Sequence, residues 1–516
     1  MRTKKSMINM AAGFFGQLLN LILAVAGRSI LARYMPSEYL GINGLFSNVL
    51  SILSLADLGI GAAMMYALYS PVARENREEI RRLMNLYRLL YRWVAGAVAV
   101  LGLALLPFLD LLVRTDRPID HMVLIYLLYL SQSVTSYLFV YKAALIEAHQ
   151  NLYICSMYAN FFTLVRYGGQ IAVLLLTRNF FLYLLVQILC GLLPNILASR
   201  RAERMYPYLR EDRRSYPDRE TAREIFRNVR ALFIHKAAGM MVYSVDSILI
   251  SALVSLGTAG IYSNYKLICT NMGGVVDRLY DAVSASIGNL VATEGDEDRR
   301  HRVFSMLSFS AFLLYSACAV AMLVLFEPFI LLCFGGDYLL PRRTVLLLLA
   351  QFYITGMRTV IQKFRGAMGL FWYDRYKALA EVAVNLVLSL VLARRFGLDG
   401  ILAATVLDLL LIPFWVDPLV LFRYGWRERR GQRLAGYFLR YLLWTGGMLL
   451  AGWGTERVCR LAGGPGFWNL AAKGLTCAVL YGGMLLLLFG WTPECRDLLA
   501  YVGSFVRRTR PRAGKV

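Results

Sequence analysis

Charge is scarce in this chain. Of its 516 residues only 17% are Asp, Glu, Lys or Arg, while 58% are hydrophobic; an ordinary soluble domain carries about 25% charged residues. Acids are the scarcer sign, 33 against 56 basic residues, and histidine occurs only 4 times. The eight cysteines, at 155, 190, 269, 318, 333, 459, 477 and 495, form no C-x-x-C pair and mostly fall in apolar runs, which argues against a thiolate metal site or a disulfide framework. No P-loop, H-E-x-x-H, nucleophile elbow or Cys-His cluster occurs, so the chain shows no ATPase signature and calls for no cofactor. The composition excludes a soluble domain, and the net charge of +23 sits mostly in one set of loops rather than in a nucleic-acid-binding face.

What the chain does have is long apolar runs. They predict spans at 8–33, 39–70, 87–108, 121–146, 153–177, 180–199, 229–253, 259–285, 303–327, 344–366, 374–395, 400–422, 437–458 and 469–490, each near the ~20 residues a bilayer-crossing helix needs. The fold class is therefore an all-α polytopic membrane protein of about 14 transmembrane helices. A short basic start, Met1 to Ser6, leads into an apolar run without a small-residue cleavage site, which reads as a retained signal anchor. Lys and Arg favour the loops on the N-terminal side by roughly three to one, which places both termini in the cytoplasm. The longest connection, Arg200 to Asn228, carries nine arginines, and the same positive-inside rule accounts for them.

That connection also separates two related halves. Arg28-Ser29-Ile30-Leu31, followed by Gly41-Ile42, matches Asp246-Ser247-Ile248-Leu249, followed by Gly260-Ile261. A repeat at this spacing predicts two six-helix lobes related by a pseudo-twofold axis. The expected divisions are an N-terminal lobe at 1–200, a basic linker at 201–228, a C-terminal lobe at 229–425, and two further helices with a basic tail at 426–516.

Charges inside spans cost ~2.5–3.5 kcal/mol each on insertion scales and usually face a bundle interior or a water-filled cavity. Span 5 aligns Asn160, Thr163, Arg166, Tyr167 and Gln170 on one arc, with Arg166 near mid-helix. Span 1 carries Arg28, span 2 Asp57, and span 7 His235, Lys236 and Asp246. Span 8 carries Lys266, Asp277, Arg278 and Asp281, and the later spans add Arg358, Glu381, Asp408 and Asp417. Lys142, Lys363, Arg365 and Lys473 lie near span ends and read as snorkelling side chains.

Several stretches resemble one family. Leu31-Ala32-Arg33-Tyr34-Met35, Glu38-Tyr39-Leu40-Gly41, Leu45-Phe46, Leu55-Ala56-Asp57-Leu58-Gly59 and Tyr69-Ser70-Pro71, then Tyr137 to Gln150, and later Asn385 with Phe396-Gly397-Leu398-Asp399-Gly400, are similar to bacterial polysaccharide flippases. These belong to the multidrug/oligosaccharidyl-lipid/polysaccharide exporter superfamily. The resemblance implies a two-lobed helical transporter in the bacterial cytoplasmic (inner) membrane. It implies alternating access, with an undecaprenyl-pyrophosphate-linked oligosaccharide flipped outward for cell-surface polysaccharide synthesis.

An anionic pyrophosphate needs cations in the cavity. Arg28, Arg166, Lys236, Lys266 and Arg358 are the candidate substrate-binding residues, and Asp57, Asp246 and Asp408 the candidate coupling or gating acids. Expected partners are the lipid-linked substrate, membrane lipids and H+ or Na+ as coupling ion; nucleic acid is not among them. The alternative within the same architecture is an ion-coupled multidrug antiporter. An enzyme acting on lipid-linked sugars would be expected to carry paired carboxylates on a sizeable outer loop, and the longest outer connections, around Leu109 to Asp120 and Pro328 to Arg343, are short.

Overall fold

The computed structural model describes residues 22–54, 60–114, 119, 121–149, 151–211, 215–223, 225–227, 229, 246–293, 296–370, 373, 376–426, 428–461 and 466–509. Every regular element among them is helical. The main ones in chain order are α1 (22–34), α2 (Ser37–Leu53), α3 (Ile60–Ala73), α4 (Arg77–Ala104), α5 (Met122–Val140), α6 (Ala143–Ala148), α7 (Leu152–Thr177) and α8 (Phe180–Met205). They continue with α9 (246–253), α10 (Leu256–Thr293), α11 (Glu297–Cys333), α12 (Arg342–Met357), α13 (Thr359–Ala367), α14 (Lys377–Phe396), α15 (Leu398–Leu411), α16 (Pro413–Tyr424), α17 (Arg430–Leu461), α18 (Phe467–Phe489) and α19 (Pro493–Thr509).

Local sequence accounts for where several of these begin. Free N–H groups at a helix start are satisfied by short polar caps. Asn76 accepts from Glu79 N at 3.2 Å ahead of α4, Asn179 from Phe181 N at 2.8 Å ahead of α8, and Asp296 from Asp298 N at 2.9 Å ahead of α11. Large apolar side chains then face outward along the helices, as lipid contact requires: Leu176 is 83% exposed and Leu487 81%. Among the described residues eight helices or helix pairs are long and apolar enough to cross a membrane. This is a multi-pass membrane protein.

The described parts of all fourteen predicted spans are mainly helical; the first, second, seventh and eleventh are described only in part, and the span at 121–146 is interrupted at Tyr141 and Lys142, between α5 and α6. The spans at 344–366 and 400–422, expected to be continuous, are each broken. The first kinks at Arg358, between α12 and α13. The second breaks at Ile412, where Pro413 can neither donate to the preceding turn nor fit it sterically. After the last span, a stretch expected as tail forms the 17-residue helix α19.

The chain divides into two compact units, 1–263 and 264–516, with the division inside α10. In the first unit α4 packs on α5, α5 on α8, and α7 on α8. In the second, α11 is the central helix, with α12, α17, α18 and α19 against it, and α15 packs on both α12 and α14. An aromatic cluster fills the core near the α11 N-terminus: the Phe304 ring centroid lies 5.2 Å from that of Phe364, and Phe422 lies 5.0 Å from Trp426.

Candidate functional site

The first unit gathers two of the expected cations around one tyrosine. Arg166 lies in the middle of α7, half-buried, with its Cζ 4.5 Å from the Tyr167 ring centroid. Its Nε is buried without a hydrogen-bond partner, and no carboxylate among the described residues is paired with it. The Tyr167 ring also lies against α1, where a β-carbon on Gly27 would come within 2.7 Å of Tyr167 Cδ1. A glycine here lets helix and ring approach closely, and it brings the neighbouring residue, Arg28, to the same place.

Arg28 donates from one terminal nitrogen to the Ser263 carbonyl and to Ser263 Oγ, both at 3.0 Å. Tyr183, Tyr167 and Tyr129 are the phenols within electrostatic reach of its guanidinium, and Tyr183 is within reach of Arg166 as well. A polar chain extends this wall. Gln170 donates to Gln187 at 3.2 Å, Gln187 to the Tyr129 hydroxyl at 3.3 Å, and Tyr129 to Asn43 Oδ1 at 2.9 Å. The result is a wall of guanidinium groups, phenols and amides contributed by α1, α2, α5, α7 and α8. Guanidinium groups match phosphate oxygens bidentately, and phenols and amides supply further donors.

The second unit uses its intramembrane charges differently. Three cations, Arg358 at the α12–α13 kink, Arg365 in the last turn of α13 and Lys377 at the start of α14, meet two acids, Glu381 and Asp417. Arg358 Nε donates to Asp417 at 2.8 Å and its Nη2 lies 3.7 Å from Glu381; Lys377 lies 3.2 Å from Glu381, and both Lys377 and Arg365 also bind Asp417. Asp417 is fully buried and Arg365 only 6% exposed. A carboxylate so deep is tolerated because cations surround it. Arg358 stands at one helix break and Asp417 lies in the helix that follows the other, and irregular backbone within a membrane occurs where protein buries it or a cavity solvates it.

The remaining expected residues are dispersed. Lys266 is half-buried on α10 in the second unit, one turn from Cys269. Asp246 on α9 and Asp408 on α15 are each buried, 1% exposed. Asp57 and Lys236, like His235, lie outside the described residues. Of the side chains read as snorkelling, Lys142 pairs with Glu203, Lys363 with Asp281, and Arg365 with Asp417. Arg365 in particular is a network member and not a helix-end anchor, because Asp417 needs the charge.

Tyr129, Tyr183, Gln187 and Lys377 belong to these arrangements but were not singled out in the sequence. Gln187 had a signal, being one of two amides, with Asn195, in the mainly apolar run at 180–199. The tyrosines had none in a chain with 31 of them.

Comparison with known proteins bears on the fold. A structure of lipid II flippase MurJ in an inward closed conformation superposes with a TM-score of 0.69 at 13% identity, covering 96% of this chain and 100% of that one. An inward-facing multidrug resistance MATE family transporter of the MOP superfamily superposes with a TM-score of 0.57 at 15% identity, covering 81% of this chain and 97% of that one. No family model matches the sequence, and no curated protein matches it significantly. The all-helical fold of these two structures is the fold of this chain.

Proposed function

We propose that the chain is a transporter of the multidrug/oligosaccharidyl-lipid/polysaccharide exporter superfamily, working by alternating access in the bacterial cytoplasmic membrane with both termini in the cytoplasm. Its cargo is an oligosaccharide linked through pyrophosphate to a long prenyl chain, moved outward for cell-surface polysaccharide synthesis. The observation that carries this reading is Arg166. A half-buried cation in mid-helix with no carboxylate paired to it among the described residues is costly in a membrane, and an anionic ligand repays that cost when it binds. Arg28, held by Ser263 beside the same tyrosine, supplies a second positive charge, and a pyrophosphate carries enough oxygens for both. The fold shared with a lipid II flippase supports the same reading at the level of architecture.

The fold is also shared with a multidrug transporter, so the cargo needs its own test. The purified protein in liposomes is given a fluorescent prenyl-pyrophosphate oligosaccharide in one arm and ethidium with a proton or sodium gradient in the other. The proposal expects movement of the lipid-linked sugar. Gradient-driven ethidium export without movement of the sugar would replace it with the antiporter reading. Buried acids, Asp246 and Asp408 among the described residues, are the groups through which a coupling ion would act.

A further inference from the structure

Helix α4 changes character at one residue. Arginines stand at 77, 81, 82, 88 and 92, and no charged residue follows from Trp93 to Ala104. Trp93 is 73% exposed, and tryptophan at such a boundary marks the bilayer surface. At this level a pocket of about 200 Å³ opens between α4, the α5–α6 connection and the end of α8. A water occupies ~30 Å³ of liquid, so the pocket can take a phosphate group. It contains neither Arg28 nor Arg166.

Its charged walls are Arg88, Arg92, Lys142 and Glu203, three cations against one carboxylate. Glu203 binds Lys142, and the Lys142 amine lies 5.6 Å from the Tyr141 ring centroid, so one wall is built and held. Arg92 is exposed and has no carboxylate within ion-pair distance among the described residues. On another side Asn85 donates to the Ser215 carbonyl at 2.8 Å, tying the chain after α8 onto α4.

The rim is of the opposite kind. Leu138 lines the pocket and is 44% exposed, with Leu89 at 38% exposed on α4. A net-positive hollow with an apolar lip, set where the helix enters the membrane, complements a phosphate ester carrying acyl chains. A free phosphate would use the arginines but leave the lip bare.

We propose that this pocket binds the phosphate of an acidic membrane phospholipid, with Arg88 and Arg92 holding the headgroup and Leu89, Trp93 and Leu138 facing an acyl chain. The full-length protein is reconstituted in phosphatidylcholine nanodiscs containing a minor share of phosphatidylglycerol. Lipid retained after a detergent wash is then counted by native mass spectrometry. Wild type retains phosphatidylglycerol over phosphatidylcholine, and Arg92→Gln lowers that retention about fivefold, the usual contribution of one basic residue at an anionic surface. Arg88→Gln with Arg92→Gln lowers it further, while Arg394→Gln, at an exposed position in the second unit, leaves it unchanged. Arg92 is exposed, so its single variant keeps the test open if the double variant misfolds. Equal retention of the two lipids by wild type, or undiminished phosphatidylglycerol in Arg92→Gln, overturns the proposal. So does displacement of phosphatidylglycerol by inorganic pyrophosphate, which would assign the pocket to a free phosphate.

Discussion

Gly41 on α2 and Gly260 on α10 meet reciprocally. A β-carbon on Gly41 would overlap the Leu256 carbonyl oxygen and come within 2.9 Å of Leu256 Cγ; one on Gly260 would overlap the Ser37 carbonyl oxygen and come within 2.9 Å of Gly41 N. Leu256 precedes Gly260 by four residues, as Ser37 precedes Gly41. The contact is therefore its own image under a local twofold, as expected of two copies of one motif packed face to face. These are the glycines that ended the two short repeats in the sequence.

The obstacles to a side chain at either glycine include backbone atoms, which cannot rotate away. Gly41→Ala and Gly260→Ala are each expected to lower thermal stability by about 1–3 kcal/mol through overpacking, although alanine in a helix interior is otherwise favoured over glycine by about 1 kcal/mol. Gly44→Ala is the control on the same helix, since its β-carbon would meet nothing nearer than Ser263 Cβ at 3.8 Å. Melting followed by size-exclusion fluorescence should place Gly44→Ala at or above wild type and the other two below it. Three indistinguishable variants would contradict the close crossing.

Charge arithmetic orders the variants of the second unit's network. Asp417→Asn leaves Arg358, Arg365 and Lys377 facing Glu381 alone, and breaking a buried pair in this way costs about 3–5 kcal/mol. Lys377→Met leaves two cations with two acids and keeps a part-buried stem of similar length, so a loss under about 1.5 kcal/mol is expected. The same melting measurement checks the order. A Lys377→Met loss as large as that of Asp417→Asn would mean that the network is not organised around the aspartate.

Much of this was legible in the sequence because a bilayer asks simple things of a helix. Every apolar run of sufficient length is mainly helical where it is described, and Arg166, Tyr167 and Gln170 contribute to one wall as their spacing required. What was not legible depends on neighbours far along the chain. Arg365, near the end of an apolar run, looks like a snorkelling residue until Asp417, 52 residues later, is placed beside it. Pro413 could have announced the α15–α16 break, but the hydrophobicity on both sides concealed it. Arg28 and Arg166 share Tyr167 as a neighbour because Gly27 lets α1 lie against its ring.

That glycine gives a prediction whose sign separates function from stability. Gly27→Ala should leave the helix as stable or slightly more so, yet it pushes the Tyr167 ring, and with it the surroundings of Arg166. The rate of sugar-lipid translocation in liposomes should fall several-fold while expression and melting temperature hold. An unchanged rate would remove the Tyr167 contact from the account.

The most direct test of the central claim is the affinity of the detergent-purified protein for a prenyl-pyrophosphate oligosaccharide, compared among wild type, Arg166→Lys and Arg166→Gln. A charged, bidentate hydrogen-bond donor lost to a phosphate ligand costs about 1.5–3 kcal/mol. Arg166→Gln is therefore predicted to bind at least about tenfold more weakly, with Arg166→Lys in between and the uncharged prenyl alcohol indifferent to either change. Equal affinity of all three proteins for the pyrophosphate would contradict the account.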